Sequence, residues 1–321
     1  MNDNINTEQK NMEFDHLGIQ RANLFKLKLS RFSETKNSNI LLEILRNILN
    51  FILFFPRMII RTRRKNYINN YYDTHSSDIE KLLKIVTDEA SKEVIKTQID
   101  FIRNYDYSGH YNYLKKSGLL SKHISILDKN EYFPNGVIKL TESEKFVDGG
   151  GFNGDTVREF VKRTNNKFAH IFSFEPDSKN YSDLLAEVKN LHLTPNQITC
   201  YPKGLYSKNK TVSFSQKGIG SSISEGGTEI VEVVSLDSFL RESEINGITY
   251  IKLDVEGSEL EALKGMQNII IKNKPKLAIC VYHQMKDFWE IPYFIESLDL
   301  DYKIYFRQHC LGRTDTICYA V

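Results

Sequence analysis

The chain has 321 residues, of which 40% are hydrophobic and 26% charged, so it is long and apolar enough to bury at least one complete core. This composition excludes an intrinsically disordered chain, a collagen and a disulfide-rich miniprotein. Its 43 Lys and Arg residues nearly balance its 41 Asp and Glu residues. A formal net charge of +2 is too balanced for a protein that coats nucleic acid, so we expect no nucleic-acid partner.

The N-terminal residues 1–39 read as a polar tail, with disorder as one interpretation. The tail starts without the basic segment and apolar stretch of a secretory signal, so export is not expected. The four cysteines include no C-x-x-C pair, which fits a reducing environment. These features predict a cytoplasmic location.

Residues 40–60 are mostly apolar and are followed by a basic run at residues 61–65. Glu43, Arg46 and Asn50 recur at spacings of three and four, so the segment predicts an amphipathic helix. A membrane span is disfavoured because each charge at its centre costs about 2.5 to 3.5 kcal/mol. Two interpretations stay open: packing within the protein or against a partner subunit, and peripheral contact of residues 40–65 with the inner membrane surface.

Beyond this segment, apolar residues between positions 78 and 120 repeat at helical spacing. From residue 144 onward the pattern changes to short apolar runs, which alternate with segments that can form helices. We therefore predict a helical region over residues 40–130 and an α/β domain over residues 131–321. The last two runs, separated by a turn at residues 311–315, predict an antiparallel hairpin.

A glycine-rich turn follows the first predicted strand of this domain, in the sequence VDGGGFNGDT. Gly149, Gly151 and Gly154 satisfy the pattern G-x-G-x-x-G, in which the missing side chains let a ligand approach the backbone. Glu175 ends the next predicted strand about twenty residues later, where a carboxylate can bind a ribose diol. This combination predicts a nucleoside-binding site.

The charge around the turn favours one kind of nucleoside. Asp148 and Asp155 flank the glycines, so a pyrophosphate would face like charge. S-adenosylmethionine carries a sulfonium and an ammonium group, and its carboxylate can use the helix N-terminus. The sequence therefore favours adenosylmethionine, with a dinucleotide and a purely structural turn as the alternatives.

Four segments together, VDGGGFNGDT, FSFEP, VVSLDSFL and IKLDVEGSELEALKG, resemble the FkbM family of adenosylmethionine-dependent O-methyltransferases. The resemblance covers roughly residues 132–321. It implies a Rossmann-like class I methyltransferase sheet of seven strands with the last one antiparallel, to which this chain adds a helical N-terminal extension. It also implies methyl transfer to a hydroxyl, most often of a sugar in a glycan or glycolipid precursor.

The same resemblance assigns the cofactor-binding residues. It implies that Asp148 and the glycines at positions 149, 151 and 154 form the loop on the methionine side of the cofactor, and that Glu175 holds the ribose hydroxyls. Ser222 lies in a Ser-containing segment that is placed near the cofactor in relatives.

Candidates for catalysis stand where the fourth and fifth strands of the predicted sheet end, because ligands collect at the carboxyl ends of parallel strands. His283 is our first choice as the general base, and Asp254 could orient it, accept the proton or bind the acceptor hydroxyl. Glu256 and Trp289 are predicted to bind the substrate, with Trp289 stacking on a sugar ring. The alternatives are a helix cap for Asp254, a satisfied strand-end imidazole for His283, and core packing for Trp289.

Asp237, Asp254 and Glu256 offer the oxygen ligands that a divalent cation prefers, but their spacing does not demand one, and we predict no metal. Two other classes of function stay open as rivals. One is an NAD(P)-dependent oxidoreductase, and the other is a nucleoside-binding scaffold without turnover.

Overall fold

The structure is a computed structural model that describes residues 62–104, 107–116, 131–215, 222–223, 229–241, 244, 246–312 and 314–321. The chain divides into two compact units, Met1–Tyr67 and Ile68–Val321. In the first unit only residues 62–67 are described, and they are helical. The predicted tail and the predicted amphipathic helix over residues 40–60 lie outside the described residues, so both stay predictions.

The second unit starts with helical residues 68–74 and three further helices: α1 (Ser76–Ile85), α2 (Glu89–Asn104) and α3 (Tyr107–Lys116). The apolar periodicity that predicts this helical region is visible in α2, where Val94, Ile95 and Ile99 share the buried face. In the part of the chain that is described, no helix combines the length and the hydropathy needed to cross a membrane.

The α/β part follows, and its elements in chain order are β1 (Lys145–Gly149), α4 (Asp155–Arg163), β2 (His170–Phe174), α5 (Ser178–Asn190), β3 (Ile198–Tyr201), β4 (Gly204–Leu205), β5 (Lys210–Ser215), β6 (Ser222–Ile223), β7 (Glu229–Val234), α6 (Leu236–Phe239), β8 (Tyr250–Leu253), α7 (Glu259–Lys264), α8 (Gln267–Asn273), β9 (Lys276–Cys280), α9 (Asp287–Ser297), β10 (Ile304–Gln308) and β11 (Thr316–Ala320).

Seven of the described strands form one sheet in the order β10-β11-β9-β8-β1-β2-β3. β11 runs antiparallel to both of its neighbours, and the other neighbouring strands are parallel. The predicted seven-stranded sheet with an antiparallel last strand is therefore confirmed, together with the terminal hairpin of β10 and β11. A smaller sheet of described strands has the order β4-β7-β5-β6.

The central strands are buried on both faces. Along β1 and β8, Phe146 and Tyr250 belong to one apolar cluster, whereas Val147 and Ile251 belong to another. Because successive side chains of a strand point to opposite faces, the two clusters are the two sides of the sheet. This burial explains why the central strands are almost continuously apolar in sequence.

The N-terminal helices pack on the sheet within the second unit. At the start of α2, Ser91 accepts a hydrogen bond on Oγ from the backbone N–H of Phe306 at 2.9 Å, and Asp88 pairs with Arg307 at 2.6 Å. The two partners lie in β10. Helix α2 thus contacts the sheet through β10, and the predicted boundary at residue 131 stays a prediction.

Candidate active site

A cavity of about 250 Å³ opens where β1, β2 and β8 end. This is the edge at which an open parallel sheet collects ligands. Its lining residues are Glu131, Tyr132, Gly150, Phe152, Asp155, Thr156, Phe174, Glu175, Pro176, Asn180, Gly204, Leu205, Val231, Val233, Lys252, Asp254, Val255, Glu256, Ser258, Tyr282 and Asp315. Six of these described residues carry a carboxyl group and Lys252 carries an ammonium group. Burial raises the pKa values of four of these carboxyl groups, those of Glu131, Glu175, Glu256 and Asp315, so the number of carboxyl groups alone does not give the charge of the lining.

The glycine turn forms one wall of the cavity. The backbone N–H groups of Gly150 and Gly151 both donate to the carbonyl of Phe174 at 3.0 Å, which ties the turn to the end of β2. Gly150 has a φ of +81°, and a Cβ atom at this position would overlap the carbonyl oxygen of Asp254. The turn therefore needs a glycine at a position that the pattern G-x-G-x-x-G leaves free.

The three glycines of the pattern G-x-G-x-x-G contribute to the turn without lining the cavity. Gly149 ends β1 and packs toward Leu253, and Gly151 faces Ser173. Gly154 has a φ of +82° and precedes the first residue of α4. These three glycines shape the turn, whereas Gly150 faces the cavity.

Glu175 lies directly against the turn. Its carboxylate accepts hydrogen bonds from the backbone N–H groups of Phe152 and Asp177, both at 2.8 Å, and it lines the cavity. Burial raises the pKa of Glu175 to about 7, although both hydrogen bonds act in the opposite direction. The structure thus brings together the turn and the carboxylate that the sequence separates.

Asp148 is buried behind the turn and does not line the cavity. Its carboxylate accepts a hydrogen bond from Ser173 Oγ at 3.0 Å and lies 3.1 Å from Nζ of Lys252. Burial alone would lower the pKa of Lys252, but the neighbouring carboxylates of Asp148 and Asp254 raise it above its ordinary value. Lys252 is therefore charged at neutral pH.

Two further predicted site residues are Ser222, for the cofactor, and Trp289, for the substrate. Ser222 begins β6 and pairs with Ser215 of β5. The segments on both sides of β6 lie outside the described residues, so the proposed cofactor contact of Ser222 stays a prediction. Trp289 is 4% exposed and stacks on His75 at 5.1 Å between ring centroids, beside Tyr71. The structure thus places Trp289 in the core, which was the alternative to sugar stacking.

Asp254 follows β8 and faces the cavity. Its carboxylate accepts hydrogen bonds from the hydroxyls of Tyr132 at 2.9 Å and Tyr282 at 3.3 Å. Burial alone would raise the pKa of Asp254, but the charges of Lys252 and His283 and the hydrogen bond from Tyr132 hold it below its ordinary value. Asp254 is therefore an ionised acceptor in the wall of the cavity.

His283 stands behind this wall among three carboxylates. Its Nε2 is 3.5 Å from Asp254 and 3.4 Å from Glu256, and its Nδ1 is 2.9 Å from Oε1 of Glu259. Burial alone would lower the pKa of His283, but the contact with Glu259 and the two other charges raise it to about 9. The imidazole is thus protonated at neutral pH in this arrangement. It must lose this proton before it can act as the predicted base.

Among the described residues, Asp254, Glu259 and His283 place their ligand atoms within 4.8 Å of one another, so this group could hold a divalent cation. Asp237, which the sequence adds to the candidate metal ligands, has another function. Its carboxylate accepts hydrogen bonds from the backbone N–H groups of Asn268 and Ile269 at 2.9 Å and so caps α8.

Sequence reasoning missed several residues of the site. Lys252 interrupts the otherwise apolar run of β8. A lysine inside a buried strand indicates a specific partner, and this was the sequence signal for Lys252. Gly150 was visible as the middle of three consecutive glycines. Glu131, Tyr132 and Asp315 reach the cavity from segments far apart in the chain, and no local pattern marks them.

Comparison with known proteins agrees with this geometry. Residues 148–304 match the family model described as the methyltransferase FkbM domain. A segment of 106 residues, 32% of this chain, is 30% identical to the hexuronic acid methyltransferase AglP of Haloferax volcanii and covers 43% of that protein.

The crystal structure of methyltransferase FkbM from Methylobacillus flagellatus KT superposes with a TM-score of 0.66 at 25% identity. The superposition covers 78% of this chain and 60% of that one. The chain thus spans less than two thirds of either relative. The matched residues include β2 to β9 and the cavity-lining residues from Gly150 to Tyr282, so the chain carries an FkbM methyltransferase domain at residues 148–304 on an α/β methyltransferase fold.

Proposed function

We propose that this chain is an S-adenosylmethionine-dependent O-methyltransferase whose acceptor is a hydroxyl of a sugar in a glycan or glycolipid precursor. The observation that carries the proposal is the hydrogen bond between the glycine turn and Glu175 at the edge of an acid-rich cavity. The named activity of the relative, methylation of a hexuronic acid, supports a sugar acceptor.

The cavity offers matching groups for each part of the cofactor. Phe174, Leu205 and Val233 supply apolar surface for an adenine ring. Glu175 is placed to accept hydrogen bonds from a ribose, and the exposed backbone of the turn suits the methionine end. Adenosylmethionine would bring a positive sulfonium toward the ionised carboxylate of Asp254, whereas the pyrophosphate of a dinucleotide would face that carboxylate as like charge.

Bound adenosylmethionine supplies an electrophilic methyl group. The chain's own part is to hold the acceptor oxygen in line with that methyl and to receive its proton, and orientation of this kind contributes about 7 to 11 kcal/mol. Asp254 is ionised and faces the cavity, so it is placed to bind the acceptor hydroxyl. His283 contacts Asp254 and can act as the base only after it loses its own proton.

Titration calorimetry with adenosylmethionine, adenosylhomocysteine and NAD tests the cofactor. We expect the first two to bind and NAD not to bind. The matched control is Glu142→Gln, an exposed change away from the cavity that should keep the wild-type affinity. Binding of NAD alone would favour the oxidoreductase, and no binding of adenosylhomocysteine at millimolar concentration would contradict the proposal.

A screen of sugar and glycolipid acceptors with methyl-labelled cofactor, read by mass spectrometry, tests the reaction. We expect label on a hydroxyl oxygen of a sugar. Cofactor binding without transfer to any sugar acceptor would favour a nucleoside-binding scaffold instead.

A further inference from the structure

Lys252 is a buried cation in a central strand. Its side chain is 2% exposed, and its Nζ lies 5.0 Å from the centre of the Tyr132 ring. Removing an ammonium group from water costs several kcal/mol unless the new partners compensate for it. The contacts of Lys252 should therefore explain its presence between apolar residues of β8.

Two contacts of Lys252 converge on the glycine turn. Lys252 and Asp148 are directly paired in the register of β8 and β1, and Nζ is 3.1 Å from the carboxylate. The same Nζ donates a hydrogen bond of 2.6 Å to the carbonyl oxygen of Gly150. Lys252 thus connects β8, the end of β1 and the cavity-facing residue of the turn.

Charge balance alone does not account for this arrangement. A neutral pair of side chains would avoid the cost of two buried charges, and an ammonium group beside a site for a cationic ligand opposes binding. The hydrogen bond from Lys252 to Gly150 needs a donor at position 252, and an apolar residue there beside a neutral residue at position 148 would not supply it. This hydrogen bond ties Lys252 to the peptide group of Gly150, and both residues line the cavity.

We propose that Lys252 is a positioning residue of the cofactor site, which holds the peptide of Gly150 in the orientation that receives adenosylmethionine. This inference rests on the proposed function. The competing interpretation gives Lys252 only the structural role of neutralising Asp148.

The experiment separates the two roles by removing the charge of Asp148 in every variant. Affinity for adenosylhomocysteine and unfolding in urea are measured for wild type, Asp148→Asn, and the double variant Asp148→Asn/Lys252→Met. The double variant carries no unpaired buried charge but lacks the donor to Gly150. We expect it to fold and to bind at least about tenfold more weakly than Asp148→Asn, since a hydrogen bond from a charged donor is lost.

A second double variant, Asp148→Asn/Lys252→Gln, restores a neutral donor and should recover part of the affinity. Equal affinities of Asp148→Asn and the Met double variant would overturn the inference, as would failure of both double variants to fold, because Lys252 would then be structural. Absence of binding to wild type would contradict the proposed function as well, so the two failures are distinguishable.

Discussion

Asp254 and Glu175 both line the cavity, but their pKa values are shifted in opposite directions because their neighbours differ. Asp254 lies near the cations Lys252 and His283 and accepts a hydrogen bond from Tyr132, so its pKa is below the ordinary value. Glu175 is buried and accepts only backbone hydrogen bonds in the described structure, and its pKa is raised to about 7. One residue is thus ionised throughout the neutral range, whereas the other titrates within it.

Affinity for adenosylhomocysteine should depend on pH through Glu175. In the proposed cofactor complex the ionised carboxylate would accept hydrogen bonds from the ribose, and the ionised fraction falls as the pH drops through a pKa of about 7. We therefore expect affinity to fall roughly tenfold from pH 8 to pH 6. Calorimetry at both pH values checks this, and the Glu175→Gln variant should bind weakly and show no such change. A wild-type affinity that is equal at both pH values would contradict the role of Glu175.

The base role of His283 is tested on a confirmed acceptor. Replacing His283 with Asn should lower kcat by about 10² to 10⁴ and leave the affinity for adenosylhomocysteine nearly unchanged. Because the pKa of His283 is raised to about 9, the wild-type rate should rise toward that pH as the imidazole loses its proton, and the variant should lack this rise.

The control for this substitution is His192→Asn. His192 has a left-handed φ of +55° that Asn tolerates, and it is not part of the cavity lining, so kcat should stay at the wild-type value. Unchanged turnover in both variants would show that His283 is not the base.

At the scale of elements, the site depends on a turn that joins three strands. The turn between β1 and α4 is hydrogen bonded to the end of β2 through the carbonyl of Phe174. Its other side contacts the residue that follows β8, where the backbone of Asp254 leaves no room for a Cβ atom on Gly150. Backbone contacts of this kind hold a turn more rigidly than mobile side chains would.

A pair of glycine variants separates conformational strain from steric overlap. Gly150 and Gly247 both have a left-handed φ, at +81° and +74°, so alanine at either position should cost about 1 to 2 kcal/mol of the free energy of unfolding. Gly247 has open space around its Cβ position, whereas alanine at position 150 would overlap the Asp254 carbonyl. We expect Gly150→Ala to be clearly more destabilising in urea denaturation. Equal losses would show that the turn is not packed against β8.

At the scale of the whole molecule, the N-terminal helices complete the core of the second unit. Tyr71, Tyr72 and His75 surround Trp289 of α9, with ring centroids between 5.1 and 6.3 Å from the indole. Arg307 of β10 pairs with Asp88, which lies between α1 and α2. The helices that the sequence separates from the methyltransferase domain thus share its hydrophobic core.

Trp289 should therefore act on stability and not on ligand binding. The Trp289→Ala variant should lose about 3 to 5 kcal/mol of the free energy of unfolding, as buried aromatic truncations do, and Trp289→Phe should lose less. Ile271→Ala, at a position that is 46% exposed, is the control and should change stability only slightly. Reduced acceptor binding by a stably folded Trp289→Phe variant would restore the sugar-stacking interpretation.

The local sequence was enough to predict most strands of the sheet and the residues of the glycine turn. The apolar runs predict the strands because residues of a strand that is buried on both faces are mostly apolar. The terminal hairpin is predicted from its two runs and the turn between them. The glycine turn and Glu175 are recognisable because their chemistry requires a fixed residue type beside a strand end.

Only the tertiary structure decided which side chains share the cavity. Lys252, Glu131 and Asp315 come from distant segments, and their proximity depends on how parallel strands are ordered in the sheet. The same holds for charge, since His283 is protonated at neutral pH because Glu259 lies 2.9 Å away. A pKa depends on burial and on neighbours in space, and a linear sequence specifies neither until the chain has folded.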